Sequence, residues 1–115
     1  MVTDKEEQPD LSSLLAYGDK AAILDRLITE TEKDMQIIRE AANRNDRNAL
    51  DELVHHLRSS WAVIRADRPL WKLHELLHRD EECSNDEIKR AVDSVLKMGE
   101  MIMELARKEK KEEVR

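Results

Sequence analysis

Hydrophobic residues recur every three or four positions along most of the chain, which is the spacing of amphipathic α-helices. Three long segments carry this pattern, over residues 24–42, 50–64 and 88–105, and a shorter one covers residues 70–77. A small leading helix is predicted around Leu11, Leu14 and Leu15. Because each helix must bury its hydrophobic stripe against the others, the pattern predicts an all-α fold, an antiparallel four-helix bundle with a short N-terminal capping helix.

Short polar residues mark where these helices begin. The predicted N-cap residues are Asp10, Asp19, Asp46 and Ser84. Their side-chain oxygens can accept hydrogen bonds from the backbone amides of the first helical turn. Ser84 is followed three residues later by Glu87, which is the pattern of a capping box. Gly18 is predicted to end the leading helix, because glycine readily adopts the left-handed conformation found there.

The composition is that of a single helical domain. The chain has 115 residues, of which 40% are hydrophobic and 40% are charged. It contains two Gly and two Pro, which are too few for the many turns of a β-sandwich or barrel. We therefore expect a flexible N-terminus over residues 1–9, the bundle over residues 10–106, and a charged C-terminal tail over residues 107–115.

Charge and cysteine content restrict the partners and the compartment. The formal net charge of −6 argues against binding to nucleic acid or to an anionic membrane surface. The sequence has no apolar run long enough to cross a bilayer, and its charged beginning does not resemble a signal peptide. Cys83 is the only cysteine, so an internal disulfide is impossible. These features predict a cytoplasmic protein.

One histidine falls on the wrong face of its helix for a core residue. At about 100° per residue, His55 lies opposite the stripe that contains Leu50 and Leu57. An exposed imidazole is a usable nucleophile near neutral pH. Arg58 stands one turn further on, where its guanidinium could neutralise a phosphoryl group carried by the ring. His56, by contrast, is expected at the edge of the stripe, half covered by a neighbouring helix.

The sequence around His55 resembles a known family. Residues 54–60 read Val-His-His-Leu-Arg-Ser-Ser, similar to the His-x-Leu-Lys/Arg-Gly-Ser/Ala signature of histidine-containing phosphotransfer (Hpt) domains, and Asp46 precedes the histidine by nine residues. The resemblance extends roughly from Leu11 to Leu105. It implies a helical bundle whose exposed histidine accepts a phosphoryl group from an aspartate of one receiver domain and passes it to another.

Carried over residue by residue, the resemblance assigns His55 as the phosphorylated residue, with Arg58 and Ser59 supporting the phosphate. Ala62 and Glu52 would belong to the docking surface. The implied partners are the receiver domain of a hybrid sensor kinase and that of a response regulator. The implied protein is a phosphorelay intermediate without kinase activity of its own, and it needs no cofactor and no metal.

The sequence departs from the family pattern in three places. Ser59 stands where the family has a glycine, and Ile64, Arg65 and Ala66 occupy the region of a second glycine. Many members use a glutamine on the following helix to orient the histidine. In this chain that region offers Glu75 or His78 instead.

Two other functions remain open on sequence grounds. A bundle of this kind could serve only for docking, without phosphorylation. The segment His74-Glu75-Leu76-Leu77-His78 also matches the His-Glu-x-x-His pattern of zinc metalloproteases, in which two histidines bind the metal and the glutamate is the general base. A third ligand for such a site is not evident from the sequence. Trp61 and Trp71 are both interpreted as packing anchors.

Overall fold

The computed structural model describes residues 8–16, 18–79 and 82–114, and within these ranges all regular elements are α-helices. The five helices are α1 (Ser12–Leu15), α2 (Lys20–Asn43), α3 (Arg47–Val63), α4 (Arg68–Leu77) and α5 (Asn85–Val114). The prediction of an all-α bundle of four helices with a short leading helix is confirmed.

The four longer helices form a closed ring around one hydrophobic core. Helix α2 packs along α5, α5 packs against α4, α4 against α3, and α3 against α2. The largest fully buried side chains are Leu24, Ile38, Leu50, Val54, Ile64, Leu70, Leu73, Val95 and Ile102. They come from all four helices and lie on the predicted stripes. Gly99 lies against Met35, which allows α5 to approach α2 closely.

The predicted helix starts are largely confirmed by hydrogen bonds. The Asp19 carboxylate accepts from the Ala22 amide at 3.3 Å and begins α2. The Asp46 carboxylate accepts from the Ala49 amide at 3.1 Å and begins α3. Ser84 and Glu87 bond reciprocally, each side chain accepting from the other residue's amide at 3.1 Å. These caps satisfy amides that have no partner within the helix.

Two helices end in the same left-handed turn. After α2, Asn45 has a φ of 54° and the Asp46 amide donates to the Ala41 carbonyl at 2.9 Å. After α3, Arg65 has a φ of 57° and the Ala66 amide donates to the Trp61 carbonyl at 2.8 Å. This is the Schellman pattern, which reverses the chain in few residues. Asparagine tolerates the conformation fairly well, whereas arginine adopts it at some cost.

The N-terminal segment covers the end of α3, although the prediction of its helix was wrong in detail. Leu11 rather than Asp10 is the N-cap of α1, and the Asp10 carboxylate accepts instead from the amide and hydroxyl of Ser12. These hydrogen bonds lower the pKa of the Asp10 carboxyl. The Asp10 amide donates to the Ile64 carbonyl at 2.8 Å, which ties the segment to the bundle.

The structure describes only part of the predicted N-terminal segment. Residues 1–7 of the expected flexible N-terminus lie outside the described residues, and Pro9 is buried. Gly18 was predicted to end α1, but the helix already ends at Leu15 with Ala16 as its cap. Gly18, with its φ of 78°, therefore lies two residues beyond the cap.

At the other end, α5 continues through the predicted boundary at residue 106, and Lys110 forms an ion pair with Asp25 of α2. In the part of the chain that the structure describes, no helix is long and apolar enough to cross a membrane.

Candidate functional site

The outer face of α3 presents a row of exposed side chains around His55. Glu52, Ser59 and Ala62 lie three, four and seven residues from His55, so they follow one another along the same face of the helix. All four side chains are exposed. Because Ser59 and Ala62 are small, the surface on the C-terminal side of the imidazole is low and open. A second protein could therefore reach the ring without displacing any part of the bundle.

The His55 ring has a charged neighbour. A terminal nitrogen of the Arg58 guanidinium lies 3.2 Å from His55 Nδ1. A guanidinium can only donate hydrogen bonds, so Nδ1 accepts and the proton of the neutral ring is on Nε2. In this geometry neither ring nitrogen has a free lone pair. The contact holds the imidazole in one orientation and engages the lone pair of Nδ1.

Trp71 of α4 fixes the position of Arg58. The guanidinium carbon of Arg58 lies 4.8 Å from the centre of the Trp71 ring, which is a cation–π contact. The indole N–H of Trp71 donates to the Asp67 carboxylate at 3.0 Å. The interpretation of Trp71 as a packing anchor was wrong, since it is 46% exposed, whereas Trp61 is 2% exposed and lies in the core. The reason is that Trp71 lies on the face of α4 where its ring contacts Arg58 of α3.

His56 lies on a different surface from His55. It lines a groove between α2 and α3 together with Asp34 and Ser60. This position agrees with the expectation that His56 lies at the edge of the hydrophobic stripe beside a neighbouring helix, and its side chain remains exposed. Burial in the groove raises the pKa of the Asp34 carboxyl, and the nearby His56 partly opposes this effect. The two adjacent histidines therefore face different surroundings, one on an open helix face and one in a groove.

His74 of α4 and His78, the residue that caps this helix, lie beside an aspartate of α3. The rings of His74 and His78 are 4.4 Å apart, and His78 Nε2 lies 2.8 Å from an Asp51 carboxylate oxygen. Glu75 does not join them, because it lines a separate groove between α4 and α5. The structure thus supplies the third potential metal ligand that the sequence pattern lacked, and it separates the glutamate from the histidine pair.

The two residues considered in place of the orienting glutamine lie elsewhere. His78 is hydrogen-bonded to Asp51, and Glu75 faces α5. In the described part of the chain, the hydrogen-bond partner of the His55 ring is Arg58. Sequence analysis missed Trp71 as a neighbour of Arg58, and it missed the contact between Asp51 and His78. The available signal was limited to an aspartate one turn before His55 and a tryptophan one turn after Asp67.

The fold and the exposed histidine agree with the family that this chain matches. An all-α bundle with an exposed histidine on one long helix fits the class of helical phosphotransfer modules. The model of the Hpt domain family matches residues 22–108, so the chain belongs to the Hpt domain family. Comparison with curated proteins gives no significant match, and neither does comparison with solved structures.

Membership of the family defines the general function. Hpt domains carry out histidine phosphotransfer in phosphorelays, in which they are intermediates rather than kinases and interact with receiver domains. The matched region includes α3 with His55, the whole of α4, and the greater part of α2 and α5. The roles of individual residues in this chain remain predictions.

Proposed function

We propose that His55 accepts a phosphoryl group from the aspartate of one receiver domain and donates it to the aspartate of another. The expected donor is the receiver domain of a hybrid sensor kinase, and the expected acceptor is that of a response regulator. The observation that carries this proposal is the exposed His55 imidazole, which lies within hydrogen-bond distance of the Arg58 guanidinium on an open face of α3.

The transfer needs little covalent chemistry from this chain. A ring nitrogen of His55 attacks the phosphorus of the receiver's aspartyl phosphate with its lone pair. The nitrogen–phosphorus bond forms as the phosphorus–oxygen bond breaks, and the receiver's carboxylate leaves with the electron pair. Positioning and charge neutralisation dominate the barrier of such a reaction. A rigid bundle helix supplies the positioning, because the backbone of α3 is held in place by α2 and α4.

Arg58 changes partner during this reaction. In the resting geometry it donates to Nδ1 of His55, which leaves no lone pair for attack. The anionic phosphoryl group of the incoming receiver is a stronger acceptor for a guanidinium than a neutral imidazole is. Arg58 therefore turns from the ring to the phosphoryl oxygens, which frees the nucleophile and neutralises the transferred group. Until the receiver docks, the cation–π contact with Trp71 keeps the Arg58 guanidinium close to the His55 ring.

Ser59, Ala62 and Glu52 surround the nucleophile on the face where the receiver docks. Ser59 stands four residues from His55, so its hydroxyl can donate to a phosphoryl oxygen on the ring. Compared with the glycine of the family pattern, it adds one small polar group and leaves the face open. Ala62 gives the receiver an uncharged contact surface, and Glu52 sets the charge on the N-terminal side of the site.

Phosphotransfer to two matched histidine variants tests this proposal. Receiver domains from the same organism are labelled with radioactive phosphate and mixed with the wild-type chain, with His55→Gln or with His56→Gln. We expect acid-labile, base-stable label on the wild type and on His56→Gln, and none on His55→Gln. Label that persists on His55→Gln and disappears from His56→Gln would mean that the other histidine is the acceptor. Receiver binding without any label on the wild type would identify the chain as a docking module.

A further inference from the structure

We propose that Asp51, His74 and His78 form a binding site for a divalent transition metal ion of the zinc type. The three residues come from two helices, α3 and α4, that pack against each other. One potential ligand atom from each lies within 4.8 Å of the others. The proposed site shares no residue with the phosphate site of His55, Arg58 and Ser59, and it does not depend on phosphotransfer by His55.

The two histidines are positioned by the last turn of α4. They are four residues apart, and the backbone amide of His78 donates to the carbonyl of His74 at 3.0 Å. This bond keeps the helical spacing up to the residue that caps the helix, so both rings project from the same face. The ring of Trp71 contacts His74 edge to face, with 5.4 Å between ring centres. The imidazoles are therefore already close together before any ion binds.

Asp51 completes the ligand set from the neighbouring helix. Its carboxylate oxygen lies 2.8 Å from His78 Nε2, where it accepts a hydrogen bond from the ring. In a tetrahedral site with ligand bonds of about 2.1 Å, two ligand atoms are about 3.4 Å apart. Replacing the ring proton by a metal ion therefore requires the carboxylate and the ring to separate by only a small distance. The side chains of His78 and Asp51 are 51% and 41% exposed, so an ion can enter from solvent.

The chemistry of the ligands selects the kind of ion. Two imidazoles and one carboxylate suit zinc, copper, nickel and related ions, whereas magnesium and calcium prefer ligand sets made of oxygen. Three protein ligands leave at least one coordination position for water. Glu75 faces the groove toward α5, so the site lacks the general base of a His-Glu-x-x-His protease. The geometry therefore favours metal binding without the hydrolytic function.

Zinc titration of the full chain tests the proposal, with magnesium as the comparison ion. The metal-free protein is titrated with Zn²⁺ by calorimetry, and the histidine ring signals are followed by NMR. We expect one zinc ion per chain, no binding of magnesium, and changes confined to the rings of His74 and His78 among the four histidines. Replacing a ligand, as in Asp51→Ala, His74→Ala or His78→Ala, is expected to weaken binding by at least about tenfold.

Two matched variants provide the controls. His56→Gln removes a histidine of the same helix as Asp51, and Glu75→Gln removes the carboxylate between the two ligand histidines in sequence. Both are expected to bind zinc as the wild type does, with circular dichroism reporting intact helix content for every variant. Absence of zinc binding at micromolar concentrations would overturn the proposal. Binding that survives His74→Ala and His78→Ala but is lost in His55→Gln would also overturn it.

Discussion

In the proposed mechanism, the reactivity of His55 depends on Arg58. It contacts two groups at once, the ring nitrogen of His55 and the face of Trp71. The first contact blocks the nucleophile and the second keeps the cation beside it. The neutral His55 imidazole is a weaker hydrogen-bond acceptor than an anionic phosphoryl group. When a phosphoryl group arrives, we expect the Arg58 guanidinium to donate to its oxygens instead of to the imidazole. In the proposed mechanism, the docked receiver activates the His55 imidazole by providing a better hydrogen-bond acceptor for Arg58.

Removing this cation is expected to slow phosphotransfer. A hydrogen bond to a charged group contributes about 1.5–3 kcal/mol, and about 0.5–1.5 kcal/mol of this is offset because the His55 lone pair is already free, so Arg58→Ala should lower the transfer rate roughly tenfold. The rate is measured by quenched-flow transfer of label from a phosphorylated receiver. Arg26→Ala, which removes an exposed arginine of α2, is the matched control and should leave the rate unchanged. A rate for Arg58→Ala equal to that of the wild type would contradict the proposed role.

Asp34 gives the bundle a pH-dependent contribution to stability. Burial raises the pKa of its carboxyl, so the folded protein binds this proton more tightly than the unfolded chain does. At neutral pH the ionised Asp34 carboxylate therefore destabilises the folded protein. This penalty decreases as pH falls through the pKa that Asp34 has in the folded protein.

We expect Asp34→Asn to be more stable than the wild type at pH 7. Because solvent still reaches the carboxylate, the gain should stay below about 1 kcal/mol. The difference should shrink as pH falls towards the ordinary carboxyl pKa of 3.8. Urea unfolding at several pH values measures it, with Asp93→Asn, an exposed site on α5, as the charge-matched control. If Asp34→Asn stabilises the protein equally at every pH, desolvation of the Asp34 carboxylate is not the cause of the gain in stability.

At the scale of the element, helix ends could be predicted where the chemistry is local. Asp19, Asp46 and Ser84 act through amides three residues away, so the sequence contains all that is needed to identify them. The pairing of Trp71 with Arg58 is different, because the two residues lie on separate helices. Their contact depends on how α4 is rotated against α3, which the hydrophobic periodicity does not determine. For the same reason the contact between Asp51 and His78 could not be predicted.

The turn after α3 carries an unfavourable residue at its left-handed position. Arg65 adopts a φ of 57°, which glycine tolerates without a steric penalty. We expect Arg65→Gly to raise the free energy of unfolding by about 0.5–1 kcal/mol, since relief of strain exceeds the extra entropy of the unfolded glycine. Arg65→Ala keeps the Cβ atom and should give no such gain. Urea unfolding measures both variants, and a loss of stability in Arg65→Gly would contradict this interpretation.

At the scale of the whole molecule, the close packing of α2 and α5 forms the support on which α3 and α4 are held. The periodicity of all four helices was sufficient to predict this bundle and the residues of its core. Gly99, the small residue at the contact between α2 and α5, was not identified from the sequence, because the distance between two helix backbones depends on the tertiary structure. A methyl group on Gly99 would overlap the side chain of Met35.

The effect of Gly99→Ala should therefore depend on Met35. In the wild-type background the overlap is expected to cost about 1–3 kcal/mol, which exceeds the gain in helix propensity of roughly 1 kcal/mol. In a Met35→Ala background the overlap is absent, and the same substitution should be neutral or stabilising. Equal effects in the two backgrounds, measured by urea unfolding, would show that the two residues are not coupled.

The most direct test of the central claim is to locate the phosphoryl group on the chain. The wild-type protein is incubated with a phosphorylated receiver domain, digested at alkaline pH, and its peptides are sequenced by tandem mass spectrometry under conditions that preserve phosphohistidine. The account predicts that the phosphoryl group is on His55. A phosphoryl group found on His56, His74 or His78 in place of His55 would contradict it.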